Sequence, residues 1–143
     1  MVQKRSSINR KVMDFLAEKK GHVHLVGVSG VGMAGLAFLL KARGFKVSGC
    51  DLVPGAMAEW LRKRGIKVSL GHDAGHIKKD VKWVIRSAAI GDDCPEIVRA
   101  IKYGIPVFSR GFVLPEVITN FNSVAVGGTH GKTTTTTFIA QLL

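Results

Sequence analysis

The sequence contains little cysteine, few aromatic residues and no long apolar run. Its two cysteines, Cys50 and Cys94, lie in unrelated contexts without metal-ligand spacing or a disulfide framework, so we expect a reducing, cytoplasmic setting. No apolar segment approaches the roughly 20 residues that a bilayer span needs, and no repeat indicates a coiled coil or a solenoid. The 143 residues, 46% of them apolar, suffice for one domain with an ordinary hydrophobic core.

Acidic residues are scarce, with 10 Asp and Glu against 21 Lys and Arg, which gives a formal net charge of +11. This balance favours an anionic partner. Aromatic residues do not alternate with basic ones, which disfavours nucleic acid and leaves a phosphorylated small molecule. Basic residues are densest in the first twenty positions, where the pattern predicts a short amphipathic helix, Ile8 to Leu16, capped near Ser6 or Ser7. This segment lacks the apolar stretch of a secretory signal.

Beyond position 20, short apolar runs alternate with segments of helical periodicity. Such alternation, with β-branched residues in the apolar runs, is typical of a parallel sheet covered by helices on both faces. The predicted fold class is therefore α/β, with a Rossmann-like sheet. The predicted strands are 22–28, 45–49, 66–70, 82–87, 105–108 and 123–126, and the predicted helices are 33–42, 56–64, 96–103, 112–118 and 132–143.

A glycine-rich segment, residues 27–35, follows the first predicted strand and opens a helix. Glycine permits a tight turn there and lets a phosphate approach the N–H groups at the positive end of the helix. The dinucleotide fingerprint fits Gly30, Gly32 and Gly35 literally, but the strand end favours a register that begins at Gly27 and has serine in second place. The segment predicts phosphate binding and leaves NAD open, and the alternative is close helix–strand packing without a ligand.

Polar side chains follow the other predicted strands, and parallel sheets bind ligands at the carboxyl ends of their strands. Asp51 lies about twenty residues after the glycine-rich segment, where dinucleotide folds place the acid that binds a ribose. A solvated turn carboxylate is the alternative interpretation. His72, Ser87 and Arg110 follow later strands, although histidine and serine at such positions are more often solvated or bonded to backbone than to a ligand.

A second phosphate-loop pattern lies near the end of the chain. Gly131-Lys132-Thr133 supplies N–H groups for phosphates, an ammonium group for the terminal phosphates and a hydroxyl group that can bind Mg²⁺. Val126 stands where the strict pattern has glycine, so the loop is a variant form. The five threonines 133–137 are poor helix formers, which argues against a purely structural segment. Two phosphate loops predict two phosphorylated ligands, one of them ATP.

The two loops divide the chain into three expected parts. A basic N-terminal extension covers residues 1–20, a nucleotide-binding domain covers 21–121, and the start of an ATP-binding domain covers 122–143. The chain stops within an apolar helical turn, so we expect it to be the N-terminal piece of a longer protein. Apolar side chains of the last helix would then lack partners, and we expect this segment to fray or to self-associate.

The motifs together resemble those of the Mur ligase family. Gly128-Thr129-His130-Gly131-Lys132-Thr133-Thr134 resembles that family's ATP loop, and Gly27-x-Ser29-Gly30-x-Gly32-Met33 resembles its Gly-x-Gly-Gly-x-Gly-Met loop. Four shorter motifs also resemble family motifs: Ser48-Gly49-Cys50-Asp51, Gly71-His72, Ser87-Ala88-Ala89-Ile90 and Asp93-Cys94-Pro95-Glu96. The resemblance covers residues 22–143. At positions 29, 50, 88 and 94 the family pattern has glycine, serine, serine and asparagine instead.

The resemblance implies an ATP-dependent ligase of peptidoglycan synthesis, most like the branch that joins L-alanine to UDP-N-acetylmuramate. ATP and Mg²⁺ are the implied cofactors, and the chain by itself is expected to bind the UDP part without catalysing the reaction. Two alternatives stay open. One is the related branch that reattaches recycled murein peptides, and the other is a non-catalytic module that binds NAD(P) or a regulatory nucleotide.

The same resemblance assigns expected roles to individual residues. Lys132 and His130 would be catalytic, and the hydroxyl of Thr133 would bind Mg²⁺. The expected ATP-binding residues are Gly128, Thr129, His130, Gly131, Lys132, Thr133 and Thr134, and the expected UDP-substrate residues are Ser29, Gly30, Val31, Gly32, Met33, Asp51, His72, Ser87 and Arg110.

Overall fold

Strands and helices alternate along residues 2–18, 20–119 and 122–142, the part of the chain that this computed structural model describes. The strands are β1 (His22–Val26), β2 (Lys46–Asp51), β3 (Lys67–Leu70), β4 (Val81–Arg86) and β5 (Val107–Ser109). The helices are α1 (Val2–Ala17), α2 (Val31–Ala42), α3 (Ala56–Lys63), α4 (Pro95–Lys102), α5 (Arg110–Ile118) and α6 (Lys132–Leu142), and a 3-10 helix spans Ala74–His76.

The five strands form one parallel sheet in the order β3-β2-β1-β4-β5, which confirms the predicted α/β, Rossmann-like class. The chain runs from β1 outward to β3 and then returns to β4 on the other side of β1, so the strand order reverses between β1 and β4. In register, Val26 pairs with Cys50 and with Arg86. The loops after β1, β2 and β4 therefore start side by side, at the place where such sheets bind ligands.

Each face of the sheet carries its own apolar cluster, because side chains alternate between the two faces along a strand. Val23 and Leu25 point to the face covered by α1, α2, α3 and α5. Val26 and Cys50 belong to the opposite cluster, which α4 covers through Ile97 and Ala100. His22 and His24 of β1 share this second face and are also buried.

Helix α1 is longer than predicted and belongs to the core of the sheet. It begins at Val2, so Ser6 and Ser7 lie inside it and the predicted cap was wrong. No proline or glycine interrupts the first turns, so propagation outweighs the capping preference of serine. Phe15 is 1% exposed, and its ring centroid lies 4.7 Å from that of Trp83 and 5.0 Å from that of Phe45.

The strand predicted at residues 123–126 is not formed. These residues are irregular, and no described strand pairs with them. A strand without a neighbour leaves its backbone N–H and C=O groups without partners, so an apolar pattern alone does not produce one. Helix α6 follows, and none of its described side chains is buried. Within the described residues no helix is both long enough and apolar enough to span a bilayer.

Candidate functional site

The glycine loop, residues Gly27–Gly32, connects β1 to α2 at the point where the strand order reverses. Gly27 has a φ of 75°, and a Cβ there would lie 3.1 Å from the Cβ of Ser87, so this turn requires glycine. The N–H groups of Gly27 and Val28 both donate to the carbonyl of Cys50, at 2.9 and 3.0 Å. The loop is thereby fixed against the end of β2 on one side and the residue after β4 on the other.

Packing favours the glycine register that begins at Gly27. A Cβ on Gly32, the last glycine of this register, would lie 2.5 Å from Nη1 of Arg110. A Cβ on Gly35 would meet nothing within 4 Å, so the literal fingerprint through Gly35 has no steric basis. The serine in second place, Ser29, has a buried hydroxyl oxygen for which no partner is found in the described part of the chain.

The N-terminus of α2 is open to an anion. Its N-cap residue is Gly30, which offers no side-chain cap, and its first turn carries no acidic residue. The first N–H groups of a helix lack intrahelical acceptors and lie at the positive end of the helix dipole. The guanidinium of Arg110 lies against Gly32 in this first turn. Backbone donors and a guanidinium group thus converge, which suits a diphosphate.

Asp51 and Ser87 border the same loop. The Oδ2 atom of Asp51 accepts from the Ser29 N–H at 2.8 Å, and its Oδ1 atom accepts from the Val53 N–H at 3.3 Å. A carboxylate has further lone pairs, so Asp51 keeps the capacity to accept from hydroxyl groups of a ligand. The N–H of Ser87 donates to the carbonyl of Val26 at 3.1 Å, which places Ser87 at the reversal point.

His72 lies in different surroundings. Its Nδ1 atom is 3.4 Å from Oε1 of Glu96 and 3.6 Å from Sγ of Cys50. The structure therefore brings Ser29, Gly32, Asp51, Ser87 and Arg110 to the glycine loop, whereas the recorded contacts of His72 are with Glu96 and Cys50.

The second phosphate loop, residues Gly127–Thr133, precedes and opens α6. Gly128 and Gly131 have φ values of 145° and 75°, which side chains rarely adopt. The Lys132 ammonium group donates to the carbonyls of Gly128 at 2.5 Å and Thr129 at 3.3 Å, so the loop curls around it. No acidic residue lies in the first turn of α6. A loop that surrounds an ammonium group at a helix N-terminus fits the phosphates of a nucleotide.

Glu96 is completely buried and lies at the centre of a hydrogen-bonded cluster that the motifs along the chain do not indicate. The thiols of Cys50 and Cys94 each donate to it at 3.0 Å, Nδ1 of His76 lies 3.0 Å from Oε1, and the N–H of Asp73 donates to Oε1 at 3.0 Å. Cys50 and Cys94 therefore share one environment in the fold, and the expectation that their contexts are unrelated was wrong. The end of β2 and the segments after β3 and β4 meet at one edge of the sheet. The rule that the carboxyl ends of parallel strands lie together could therefore have predicted the cluster.

Burial and hydrogen bonding shift the pKa of Glu96 in opposite directions, but both raise the pKa values of Cys50 and Cys94. Burial raises the pKa of Glu96, but hydrogen bonds from Cys50, Cys94 and His76 outweigh it and lower the pKa to about 2. Burial and the Glu96 carboxylate raise the pKa of Cys94 to about 11, and they raise the pKa of Cys50 further. Glu96 is thus a charged carboxylate held by protonated thiols.

Comparison with known proteins adds to this geometry. Residues 22–122 match the family model described as Mur ligase family, catalytic domain. The chain is 41% identical over 136 residues to the UDP-N-acetylmuramate–L-alanine ligase of Carboxydothermus hydrogenoformans. The aligned residues cover 95% of this chain and 28% of that protein. It is 46% identical over 123 residues to the ligase of the same name from Gluconobacter oxydans, over 86% of this chain and 26% of that protein.

Solved structures agree with these relatives. The UDP-N-acetylmuramate–alanine ligase of Thermotoga maritima superposes with a TM-score of 0.81 at 33% identity, over 85% of this chain and 29% of that one. A murein peptide ligase of Psychrobacter arcticus superposes with a TM-score of 0.74 at 32% identity, over 84% of this chain and 25% of that one. The chain therefore spans between a quarter and a third of the length of these relatives.

Proposed function

The chain belongs to the Mur ligase family, and from this premise we propose that it forms the UDP-binding region and the ATP loop of a ligase that joins L-alanine to UDP-N-acetylmuramate. The observation that carries the proposal is the glycine loop at the strand reversal, where the uncapped N-terminus of α2 meets Arg110. Relatives that carry the name of this ligase support the choice of L-alanine. The cytoplasmic setting, with two free cysteines, belongs to the same proposal.

In the proposed complex, the first turn of α2 and Arg110 hold the diphosphate of the UDP moiety. The guanidinium group supplies paired N–H donors, and the backbone N–H groups at Gly30–Gly32 supply the remainder. Asp51 accepts a hydrogen bond from the ribose, since its Ser29 and Val53 contacts leave lone pairs unused. Ser87 lies beside Gly27 and contributes a hydroxyl group. His72, by contrast, pairs with Glu96, and it would have to exchange that contact for one with the UDP-substrate.

The proposed ATP site uses the second phosphate loop. Lys132 would exchange its bonds to the Gly128 and Thr129 carbonyls for bonds to the terminal phosphates, and Thr133 would offer its hydroxyl to Mg²⁺. The proposed reaction transfers a phosphoryl group to the muramoyl carboxylate, and the amine of L-alanine then displaces phosphate to form the amide. Lys132 and His130 would stabilise and position the charged groups in these steps.

Competition between ligands tests the UDP site. We expect UDP-N-acetylmuramate and UDP to shift the amide resonances of Gly30–Gly32 in the NMR spectrum of this chain, and NAD⁺ to bind more weakly. Equal or tighter binding of NAD⁺ at the same amides would contradict the proposal and favour the dinucleotide module. A ligase of recycled murein peptides would bind the same UDP-sugar, so amino-acid specificity has to be measured on an active ligase that contains this region.

Two alanine substitutions in α2 form a matched pair for this titration. Gly32→Ala would push the Arg110 guanidinium away from the helix N-terminus, so we expect weaker UDP binding with little loss of stability. Gly35→Ala meets nothing within 4 Å and should leave binding unchanged. Arg110→Ala should weaken binding as Gly32→Ala does, and the double variant should be little weaker than either single one. Full additivity would show that the two residues act separately.

A further inference from the structure

A largely buried group of four side chains of three chemical types lies beneath α4, on the far side of the end of β2 from the contact between the Cys50 carbonyl and the glycine loop. His24 comes from β1, Cys50 from β2, His76 from the 3-10 helix and Glu96 from α4. Each offers one ligand atom, and these four atoms all lie within 4.8 Å of one another. Two nitrogens, one sulfur and one carboxylate oxygen from four separate elements are thus brought together by the tertiary fold alone.

A chain of hydrogen bonds determines which nitrogen of His24 carries the proton. Asp80 can only accept, so Nδ1 of His22 donates to it at 3.0 Å, and Nε2 of His22 then accepts from the hydroxyl of Ser48 at 2.7 Å. The Ser48 oxygen in turn accepts from Nδ1–H of His24 at 2.9 Å. Nε2 of His24 is therefore left with a lone pair.

This Nε2 atom is the least satisfied polar atom of the group. His24 is only 2% exposed, and no hydrogen-bond partner for Nε2 is found within the described residues. Histidines that bind metals characteristically donate from the other ring nitrogen to a neighbouring oxygen, as His24 does to Ser48. An oriented lone pair in a buried position can act as a metal ligand.

Glu96 adds an independent reason to expect a cation. Its carboxylate is 0% exposed, and its recorded charged partners are the histidines His72 and His76 rather than a permanently charged side chain. A buried carboxylate is costly unless it is paired or bound to a metal. Cys94 and the Asp73 N–H also bond to it and orient it toward the group.

We propose that His24, Cys50, His76 and Glu96 form a binding site for Zn²⁺ that stabilises the fold of the domain. The mixture of imidazole, thiolate and carboxylate ligands suits Zn²⁺, which prefers four tetrahedral ligands of these types. On binding, the Cys50 thiol loses its proton to solvent and forms the Zn–S bond. One thiolate and one carboxylate balance the charge of Zn²⁺, so the occupied site is neutral, as a buried site should be.

The remaining members of the cluster have supporting roles. Cys94 and His72 bond to Glu96 but are not among the four proposed ligands, so they hold the carboxylate in place. Ser48 fixes the tautomer of His24. His24 and His76 also line a surface pocket together with Ser48 and Gly75, which gives the ion a path into the site.

Metal titration of the whole chain, purified with a chelator, tests this proposal. Competition with a chromophoric chelator should show one Zn²⁺ per chain, and the temperature of unfolding should rise with the zinc concentration. Co²⁺ in the same site should give the intense visible bands of tetrahedral coordination and one thiolate-to-cobalt charge-transfer band. Absence of a one-to-one complex, or an octahedral spectrum, would overturn the proposal.

Substitutions distinguish the residues that bind the ion from those that only lie beside it. Cys50→Ser, nearly isosteric, should abolish the charge-transfer band, whereas Cys94→Ser should retain it. Ser48→Ala should weaken zinc binding about 10- to 100-fold, the usual effect of removing the partner of a ligating histidine. His130→Ala removes an exposed histidine outside the cluster and should leave the stoichiometry at one. Loss of the band in Cys94→Ser, or loss of the ion in His130→Ala, would contradict the ligand assignment.

X-ray absorption of the zinc-loaded chain gives a readout that needs no variant, and so remains valid if Cys50→Ser does not fold. We expect one sulfur at about 2.3 Å and three nitrogen or oxygen atoms at about 2.0–2.1 Å. Two sulfur ligands would show that Cys94 binds directly, and no sulfur ligand would show that the ion lies elsewhere. Either result would overturn the proposed set of ligands.

Discussion

The two phosphate loops have similar local geometry but very different surroundings. Gly27 and Gly131 both have a φ of 75°, and both precede helices with no acidic residue in the first turn. The glycine loop bonds to the carbonyl of Cys50 and the side chain of Asp51, both on β2. The recorded bonds of the second loop, by contrast, are local, from Lys132 to Gly128 and Thr129.

A loop's sequence motif and its rigidity therefore have separate origins. Glycine and lysine at the right spacing give the second loop its turn without help from the rest of the chain. The glycine loop owes its fixed position to the sheet, because its acceptors and its steric limits lie on β2, after β4 and on α5. Local opening of the glycine loop would therefore require partial unfolding of the sheet, and opening of the second loop would not.

Hydrogen exchange should give the largest contrast between the two regions. Amides of Val23–Val28 should exchange only on global unfolding, and those of Lys132–Leu142 through local opening, so their rates should differ by roughly a thousandfold or more. Slow exchange at α6 that disappears on dilution would indicate the self-association expected from its exposed apolar side chains. Slow exchange at α6 at every protein concentration would show that α6 is as stable as β1, which contradicts the expected difference between the two regions.

Two phenylalanines on helices at opposite ends of the chain sharpen the comparison. Phe15 is 1% exposed and Phe138 is 64% exposed. Truncation of a buried phenylalanine leaves a cavity, so Phe15→Ala should lower the free energy of unfolding by about 3–5 kcal/mol. Phe138→Ala should change it by less than about 0.5 kcal/mol. Urea denaturation measures both, and comparable losses in the two variants would show that α6 is packed in solution.

Matched substitutions at the two glycines of equal φ test the same contrast. Gly27→Ala adds strain at positive φ and crowds Ser87, so we expect a loss of about 1–3 kcal/mol in global stability. Gly131→Ala meets nothing within 4 Å and should alter only the conformation of its own loop. Denaturation curves report the first effect and NMR shifts of residues 128–133 the second. An equal loss of global stability in Gly131→Ala would show that the second loop is part of the same cooperative unit.

The smallest expected effect is the pH dependence of the contribution of Asp80 to the free energy of unfolding. A hydrogen bond from Lys46, the larger influence, and one from His22 lower the pKa of Asp80 to about 2. The carboxylate of Asp80 therefore stabilises the fold above its unfolded pKa near 4, and this contribution is lost as the pH falls toward 2. Because Asp80 is half exposed, Asp80→Asn should cost at most about 1 kcal/mol at pH 7, and this cost should shrink as the pH falls through 2. A cost that does not depend on pH would exclude an ionic origin.

Most of the sheet was predictable from local patterns. Apolar runs, helical periodicity and the glycines after helices indicated the five parallel strands and their helices, because these signals act over a few residues. The same locality explains the three errors, which concern the strand at 123–126, the cap near Ser6 or Ser7 and the contexts of Cys50 and Cys94. The apolar run at 123–126 has no strand beside it, and the serines near the N-terminus lie within a helix that continues to Val2. The presence of a neighbouring strand and the buried packing of Phe15 both depend on distant residues.

Local patterns along the chain were enough to indicate the fold class, the position of the two phosphate loops and the polar residues at the strand ends, because backbone sterics and hydrophobic periodicity act over a few residues. The three-dimensional arrangement was needed to show that Arg110 lies against Gly32, and that Cys50, His76 and Glu96 meet His24 in one largely buried group. These contacts join residues on different elements through the strand order and the burial of helices. The free energy of such a contact depends on how far each group is removed from water and on how close the two groups lie, and the fold sets both for residues that are remote along the chain.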